Sequence, residues 1–481
     1  MPEPTRRVRA LRLACTIGAT LGLAGCVTTA DVPDAALDVP PAYRAAGGRN
    51  VDAPPALDWW RGFRSAELTQ LMEEAQRVNL DIAAAAARIT QADALALQAG
   101  AALWPAINGN ASASQSQPSG ATSSSTTATI VRRVSNNFSA SISASYEIDF
   151  WGKNRDAALA ADETATASRF DRDVVALTTL AAVANAYFQV VAAQDRIRVA
   201  NNNIASAQRI YDAIRQRVNV GTVTDLELAQ QESLLATQRA SLPPLRQTLA
   251  QNINALAVLV GRPPESVRVA GGSLTQIAVP RVAPGLPSEL LIQRPDIRRQ
   301  EAQLASQTAS VANARAQFFP SIQLTGQRGY QSAALQALFT PQATFYNIAA
   351  GLTQPIFDGF RLQSNLDYQR ARQEELLQSY RKTVVQAFAD VDNALIALRE
   401  ATNRLRLQQD VVAASRRAFD LSEQRMSAGT IDTVTVLNTQ QSLFQAQDAL
   451  VQYRLARLQA MISLYQALGG GWTLEGPGHA I

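Results

Sequence analysis

The sequence predicts a mainly α-helical chain with transmembrane β-strands, folded from two internal repeats. Three observations lead there. Two stretches, residues 153–220 and 360–428, run for 68 and 69 residues without Gly or Pro. From Phe138 to Phe150, apolar and polar residues alternate without exception. Finally, the second half of the chain repeats landmarks of the first in the same order. Aromatic residues make up only 6% of the 481 residues, while Ala and Gln recur throughout, a mix that suits long helices meeting through small side chains.

The N-terminus reads as a processing signal. Arg6, Arg7, Arg9 and Arg12 precede an apolar stretch at 13–23, and LAGC at 23–26 is similar to a bacterial lipobox. Residues 1–25 are thus a lipoprotein signal peptide, Cys26 the lipid attachment point, and residues 26–60 a lipidated linker; Val27 gives no signal for inner-membrane retention. An ordinary secretion signal with a chance cysteine is the alternative. Cleavage removes Cys15 and leaves Cys26 alone, so no disulfide staples the mature chain. It also corrects the basic pI of 9.2: taking four arginines and Glu3 from 44 basic and 40 acidic residues leaves 40 and 39, which implies no nucleic-acid partner.

Residues 79–105 align without a gap on residues 294–320 at an offset of 215, matching Asp81-Ile82 with Asp296-Ile297 and Trp104-Pro105 with Phe319-Pro320. DFWG at 149–152 then faces IFDG at 356–359, the Gly-Thr turn at 221 faces that at 429, and Val260-Gly261 faces Leu468-Gly469. The repeats occupy residues 61–260 and 296–468, separated by a Pro/Gly-rich connector at 261–295 and followed by a tail at 469–481. Each is expected to hold a first helix (296–318 in the second copy), a strand pair, a long helix, a Gly turn and a return helix, at 225–259 and 433–468.

At 1.5 Å per residue, each long helix would be about 100 Å long. Leu377, Val384, Val391, Leu398, Leu405, Val412 and Phe419 recur every seven residues, as do Val183, Val190, Ile197, Ile204, Tyr211 and Val218. Such heptads demand helical partners. Pro243-Pro244 must break the first return helix, because proline removes a backbone donor and clashes with the preceding turn. Thr224 and Glu227 have capping-box spacing.

Strands are expected at about 105–115, 138–150, 319–330 and 345–357. The 13 alternating residues span about 43 Å, which a tilt near 45° projects to about 30 Å, the thickness of a bilayer's hydrocarbon core. Ser139 to Asp149 would face water, and Ile142 and Tyr146 lipid. No helix of about 18 apolar residues is expected in the mature chain, so strands must make the crossing. Four strands close no membrane barrel, so the barrel must be shared between chains.

With LAGC, DWW at 58–60, RPDIRRQEAQLASQTASVANARAQFFPSIQLTG at 294–326 and the two Gly-Thr turns, the sequence resembles the outer membrane factor family, the TolC-like efflux ducts, in its lipidated OprM-like or NodT-type branch. The resemblance covers about residues 57–470. It implies a homotrimer whose helices form a periplasmic α-barrel below a shared twelve-stranded β-barrel, in the outer membrane of a Gram-negative bacterium. It further implies a periplasmic adaptor, the membrane fusion protein, and an inner-membrane RND-type transporter as partners. The adaptor would meet the tips at Gly221, Thr222, Gly429 and Thr430, and the closed mouth would lie at Val434, Leu437 and Asn438. Family members often carry an acid where Asn438 stands. Arg217, Asp225, Arg425 and Asp432 are candidates for charge pairs that hold the tips shut, or are charges that merely solvate helix ends.

Enzymatic chemistry lacks parts. The only histidine is His479, and neither a metal-ligand cluster nor a phosphate loop in strand–turn–helix context is present, so no cofactor is expected. Besides an efflux duct for drugs and toxic compounds, the duct of a type I protein secretion system and a lipid-anchored coiled-coil spacer of the periplasm remain open at this level.

Overall fold

A computed structural model describes residues 33–44, 56–117, 119, 134–282 and 284–473; Cys26, His479 and most of the loop after residue 117 lie outside them. The helices are α1 (Ala66–Val78), α2 (Leu80–Gly100), α3 (Lys153–Asn219), α4 (Asp225–Ala240), α5 (Leu242–Leu259), α6 (Pro287–Gln293), α7 (Pro295–Ala316), α8 (Arg361–Ser427) and α9 (Thr433–Ala467). The strands are β1 (Ala106–Ser116), β2 (Ser135–Ile148), β3 (Ser321–Ser332) and β4 (Thr344–Thr353). The chain divides into two compact units, one holding residues 90–167 and 301–379, the other 36–89, 168–300 and 380–481. Each unit therefore takes segments from both sequence copies.

In the first unit the strands form one antiparallel sheet in the order β1-β2-β3-β4. Its registers are continuous, so opposed residues share a face: Ile107 pairs with Ala144, Ala144 with Gly326 and Gly326 with Ile348. That face carries Ile142, Tyr146, Leu324, Tyr346 and Leu352, while the other carries Asn108, Ser112, Ser139, Ser143, Gln327 and Asn347. The polar face is laced together. Ser112 and Ser139 hydroxyls lie 2.8 Å apart, and Gln327 Nε2 donates to Ser141 Oγ at 3.0 Å.

Two strands stop earlier than the alternation suggests, β2 at Ile148 rather than Phe150 and β4 at Thr353 rather than Phe357. The next helix claims the chain. Asp149 Oδ1 and Oδ2 accept the N–H groups of Asn154 (3.1 Å) and Arg155 (2.8 Å), and Asp358 Oδ2 accepts that of Leu362 (3.0 Å). At the end of β2 the backbone itself turns away, Phe150 N–H donating back to Ile148 O at 2.9 Å. Trp151 fixes the same junction by stacking on Phe319 at 4.6 Å and donating to Pro320 O at 2.9 Å.

The second unit holds the largest apolar core. Trp59 and Trp60 of the DWW segment and Phe63 just after it are buried with Leu68 and Met72 of α1, Val183, Tyr187 and Phe188 of α3, and Met461, Ile462 and Tyr465 of α9. Trp59 stacks on Tyr465 at 4.8 Å, and burial pushes the Tyr465 hydroxyl pKa up to about 12. This core corrects one expectation. Residues 174–194 of α3 carry no charge, and an 18-residue window of that helix reaches a mean hydropathy of 1.7. Of that window 56% is buried within the chain, as in a core helix.

The heptad of α8 is buried at Leu377, Val384, Val391, Leu405 and Phe419 and half-buried at Leu398 and Val412. The series in α3 needs correction: Val183 and Val190 are buried, but Ile197, Ile204, Tyr211 and Val218 are only half-buried. The buried seam there is Ala200, Asn203, Ala207, Ile210 and Ile214, still spaced three and four apart but on a neighbouring stripe. Both stripes carry apolar side chains, and the closer neighbours chose the one that includes Asn203.

The first return arm is not one helix. It breaks at Ser241, which ends α4, and Pro243 and Pro244 fall in the first turn of α5, where a missing N–H is tolerated. Its counterpart α9 runs unbroken for 35 residues.

Candidate functional site

The two Gly turns are near copies of each other. At the first, Gly221 N–H donates to Val218 O at 2.9 Å and Thr222 N–H to Arg217 O at 3.0 Å; at the second, Gly429 N–H donates to Met426 O at 3.1 Å and Thr430 N–H to Arg425 O at 2.9 Å. With φ of 74° and 73° at the two glycines, both are Schellman caps. Each is followed at once by a capped helix start. Thr224 N–H donates to Glu227 Oε2 at 3.0 Å in a capping box, and Asp432 Oδ1 accepts the Thr435 N–H at 3.0 Å. The Thr435 hydroxyl and then its backbone N–H hold Asp432 below the usual carboxylate range; Thr224 does the same for Glu227. Satisfied end groups on both sides give each turn a fixed shape.

Ile210 and Ile214 of α3, Phe419 and Met426 of α8, and Val436 and Leu443 of α9 form a buried cluster, with Val223 and Ile431 of the turns packed against it. The structure therefore brings the two tips together within one chain. Arg217 Nη2 donates to Ser427 O at 3.3 Å, across from one tip to the other. Among the described residues, Arg217, Asp225, Arg425 and Asp432 form no ion pair with one another. On α9, Thr433, Val436, Gln440 and Leu443 face inward, whereas Val434 and Asn438 are exposed and Leu437 is half-buried. Gly221, Thr222, Gly429 and Thr430 are all exposed.

Above the tips, Gln231 and Gln440 are both fully buried, and Gln231 Nε2 donates to Ala207 O at 2.9 Å and lies 3.4 Å from Gln440 Oε1. Gln231 Oε1 and Gln440 Nε2 have no partner, so an amide pair sits unsatisfied in an apolar seam. Sequence reading passed over this pair because glutamine is everywhere in the chain.

It also missed a pair of ties at the other end of the return arms. Asn79 Oδ1 caps α2 by accepting from Asp81 and Ile82 N–H groups, and its Nδ2 donates to Leu259 O at 2.6 Å. At the position 215 residues on, Arg294 donates to Ala467 O at 3.1 Å, to Asp296 at 2.6 Å and to Asp390 at 3.3 Å. Burial works against the Arg294 charge, but the two carboxylates outweigh it and raise its pKa. Leu259 and Ala467 are the last residues of α5 and α9. The repeat alignment contained the signal, since it placed Asn79 on Arg294.

The family model described as outer membrane efflux protein matches residues 71–262 and 286–470. The chain belongs to the outer membrane efflux protein family. It is 42% identical over 467 residues, 96% of this chain and 98% of the relative, to the pyoverdine export outer membrane protein OpmQ of Pseudomonas aeruginosa. It is 30% identical to the probable efflux pump outer membrane protein TtgC of Pseudomonas putida, over 90% of this chain and 88% of the relative. Among solved structures, the outer-membrane channel OprN superposes with a TM-score of 0.86 at 25% identity, covering 92% of this chain and 99% of that one. As an outer membrane efflux protein, the chain is a channel protein of the Gram-negative outer membrane, with the mainly helical, TolC-like architecture of its relatives.

Proposed function

We propose that three copies of this chain form the passive exit duct of a tripartite pump that carries small molecules from an inner-membrane RND-type transporter and its periplasmic adaptor to the outside. The observation that carries the reading is the sheet: four strands with one apolar and one polar face, ending in unpaired edges at β1 and β4. Unpaired edges are not tolerated in lipid, and three such sheets joined edge to edge give twelve strands around a wet lumen. The likeness to a pyoverdine export protein over nearly the whole chain supports a small cargo. Cys26, acylated with palmitate among other chains, would anchor the assembly. The break at Ser241 and the connector at 261–295 would build a collar around the helical tunnel.

In this reading the tips are the gate. Exposed Val434 and Asn438, with half-buried Leu437, narrow the mouth. Arg217, Asp225, Arg425 and Asp432, which do not pair within a chain, pair between neighbouring chains. The adaptor engages Gly221, Thr222, Gly429 and Thr430 and spreads the tips. Purified protein should run as a trimer in detergent and show low single-channel conductance in planar bilayers, rising several-fold in Asp432→Asn. Asparagine also caps helices, so the variant removes charge while keeping the α9 start. A monomer without conductance would overturn the reading. Oxidised disulfides between Thr222→Cys and Thr430→Cys should block transport without lowering assembly; unhindered transport would refute the gate.

A further inference from the structure

The apolar face of the sheet carries one residue that does not belong to it. Arg328 lies in register with Ile142 on β2 and Tyr346 on β4, and it is the only charged side chain on that face among the described residues. It is exposed and makes no hydrogen bond or ion pair with any described residue. Its surroundings are apolar and exposed: Ile142, Tyr346 and Ile348 are 63%, 78% and 82% exposed. A lone guanidinium at that place is costly in hydrocarbon unless it reaches an anion.

The same residues outline a groove. Gly109, Ala144 and Gly326 leave a floor without bulk, and Ile142, Tyr330, Tyr346 and Ile348 rise around it together with Phe339, whose ring meets Tyr330 edge-on at 5.5 Å. A Cβ added at Gly326 or Gly109 would touch nothing within 4 Å. Arg328 stands four residues before Ser332, the end of β3 that leads into the loop rather than into a long helix. Four residues are about 13 Å of strand, and a tilt near 45° sets Arg328 about 9 Å below that end. Tyr330 and Tyr346 near the same end form an aromatic girdle of the kind that marks a headgroup boundary.

We infer that this groove is a specific lipid site, in which Arg328 binds a phosphate of lipopolysaccharide in the outer leaflet and the Gly/Ala floor seats one of its acyl chains. The inference rests on the reading that the long helices point into the periplasm, so that the loop ends of the strands face outward. Guanidinium recognises phosphate through two parallel N–H bonds, and basic pockets beside apolar grooves are how membrane proteins hold phosphorylated lipids. Pairing of β1 and β4 with other chains uses their backbone edges, so the groove across the apolar face stays open to lipid.

The test is native mass spectrometry of the delipidated full-length assembly titrated with diphosphoryl lipid A, with phosphatidylglycerol as competitor. Wild type should bind lipid A in up to three copies per trimer and resist equal phosphatidylglycerol. Arg328→Gln should weaken binding about tenfold, and Arg328→Lys about threefold, because an ammonium offers a point charge without the fork. Gly326→Leu keeps the charge, fills the floor and should also weaken binding, about threefold. Equal lipid A binding by wild type and Arg328→Gln, or displacement by phosphatidylglycerol at equal concentration, overturns the site. The spectra report assembly mass in the same experiment, so a failed barrel shows as loss of the trimer, and a lost site as a bare trimer.

Discussion

The two copies of the repeat share a plan but differ in how much of it a single chain completes. The return arm of the second copy, α9, buries thirteen of its 35 residues against α1, α3 and α8. The arm of the first, α4 and α5, buries five across its two helices and leaves Leu226 and Val258 largely exposed. One arm is an interior helix of the chain. The other presents apolar surface that a single chain does not cover, the condition expected of a subunit whose neighbours finish its core. The joint at Ser241 falls in this second kind of arm, where packing within the chain does not force the helix straight.

The copies also close their arms with different chemistry at matched positions. Asn79 and Arg294 each reach the last carbonyl of a return arm, but Arg294 brings a buried charge held by two carboxylates. The sharpest test is Arg294→Ala, which leaves Asp296 and Asp390 without their cation and should cost about 3 kcal/mol. Asn79→Ala loses a cap and one hydrogen bond, about 2 kcal/mol. Calorimetry of the solubilised protein should rank them in that order; equal shifts in Tm would mean the charged tie adds nothing over the neutral one.

The neighbouring glycines test whether the two ties share one geometry. A Cβ on Gly261 would lie 2.6 Å from Val78 O, and one on Gly469 would run into Gln293 O, with φ of 66° and 80°. Val78 and Gln293 are again 215 residues apart. Gly261→Ala and Gly469→Ala should each cost about 2 kcal/mol, and a tolerated alanine at either would break the equivalence.

A smaller effect is expected where the copies meet. Replacing Gln231 and Gln440 together by leucine removes two unpartnered amide atoms and should raise Tm by a few degrees, whereas Gln231→Leu alone leaves Gln440 without its one contact and should lower it. The smallest concerns acid. Asp432 and Glu227 titrate below ordinary carboxylates, so the support they give their helix starts is complete near neutrality and is lost as pH falls through their depressed folded pKa values. Amide exchange after an acid pulse should show α4 and α9 fraying at the tips first, and Asp432→Asn should remove that dependence from α9.

Much of this was legible beforehand. Val183 and Val384 announced helices seeking partners, Phe138 to Phe150 a two-faced strand, and Pro243-Pro244 a broken arm, because periodicity and proline act locally. Thr224 and Glu227 gave away their capping box for the same reason. Asp149 and Asp358 were less readable, since an acid at the end of an alternating stretch fits both a strand's wet face and a helix cap. Of the gate residues the sequence named, the fold gathers both tips into one cluster, yet it pairs none of the four charges within the chain.

By itself, then, the sequence determined which segments are helix and strand, which side of the strand at 138–150 is polar, where chain direction reverses, and that the plan occurs twice. Only the tertiary structure decided which stripe of α3 is buried, that Asn79 and Arg294 clamp their arms, and that Arg328 stands alone on the apolar face. The reason is physical. Period, turn and cap are set by atoms a few residues apart, whereas a stripe, a tie or an isolated charge is defined by groups a hundred or more residues away, whose distance the order of the chain does not record.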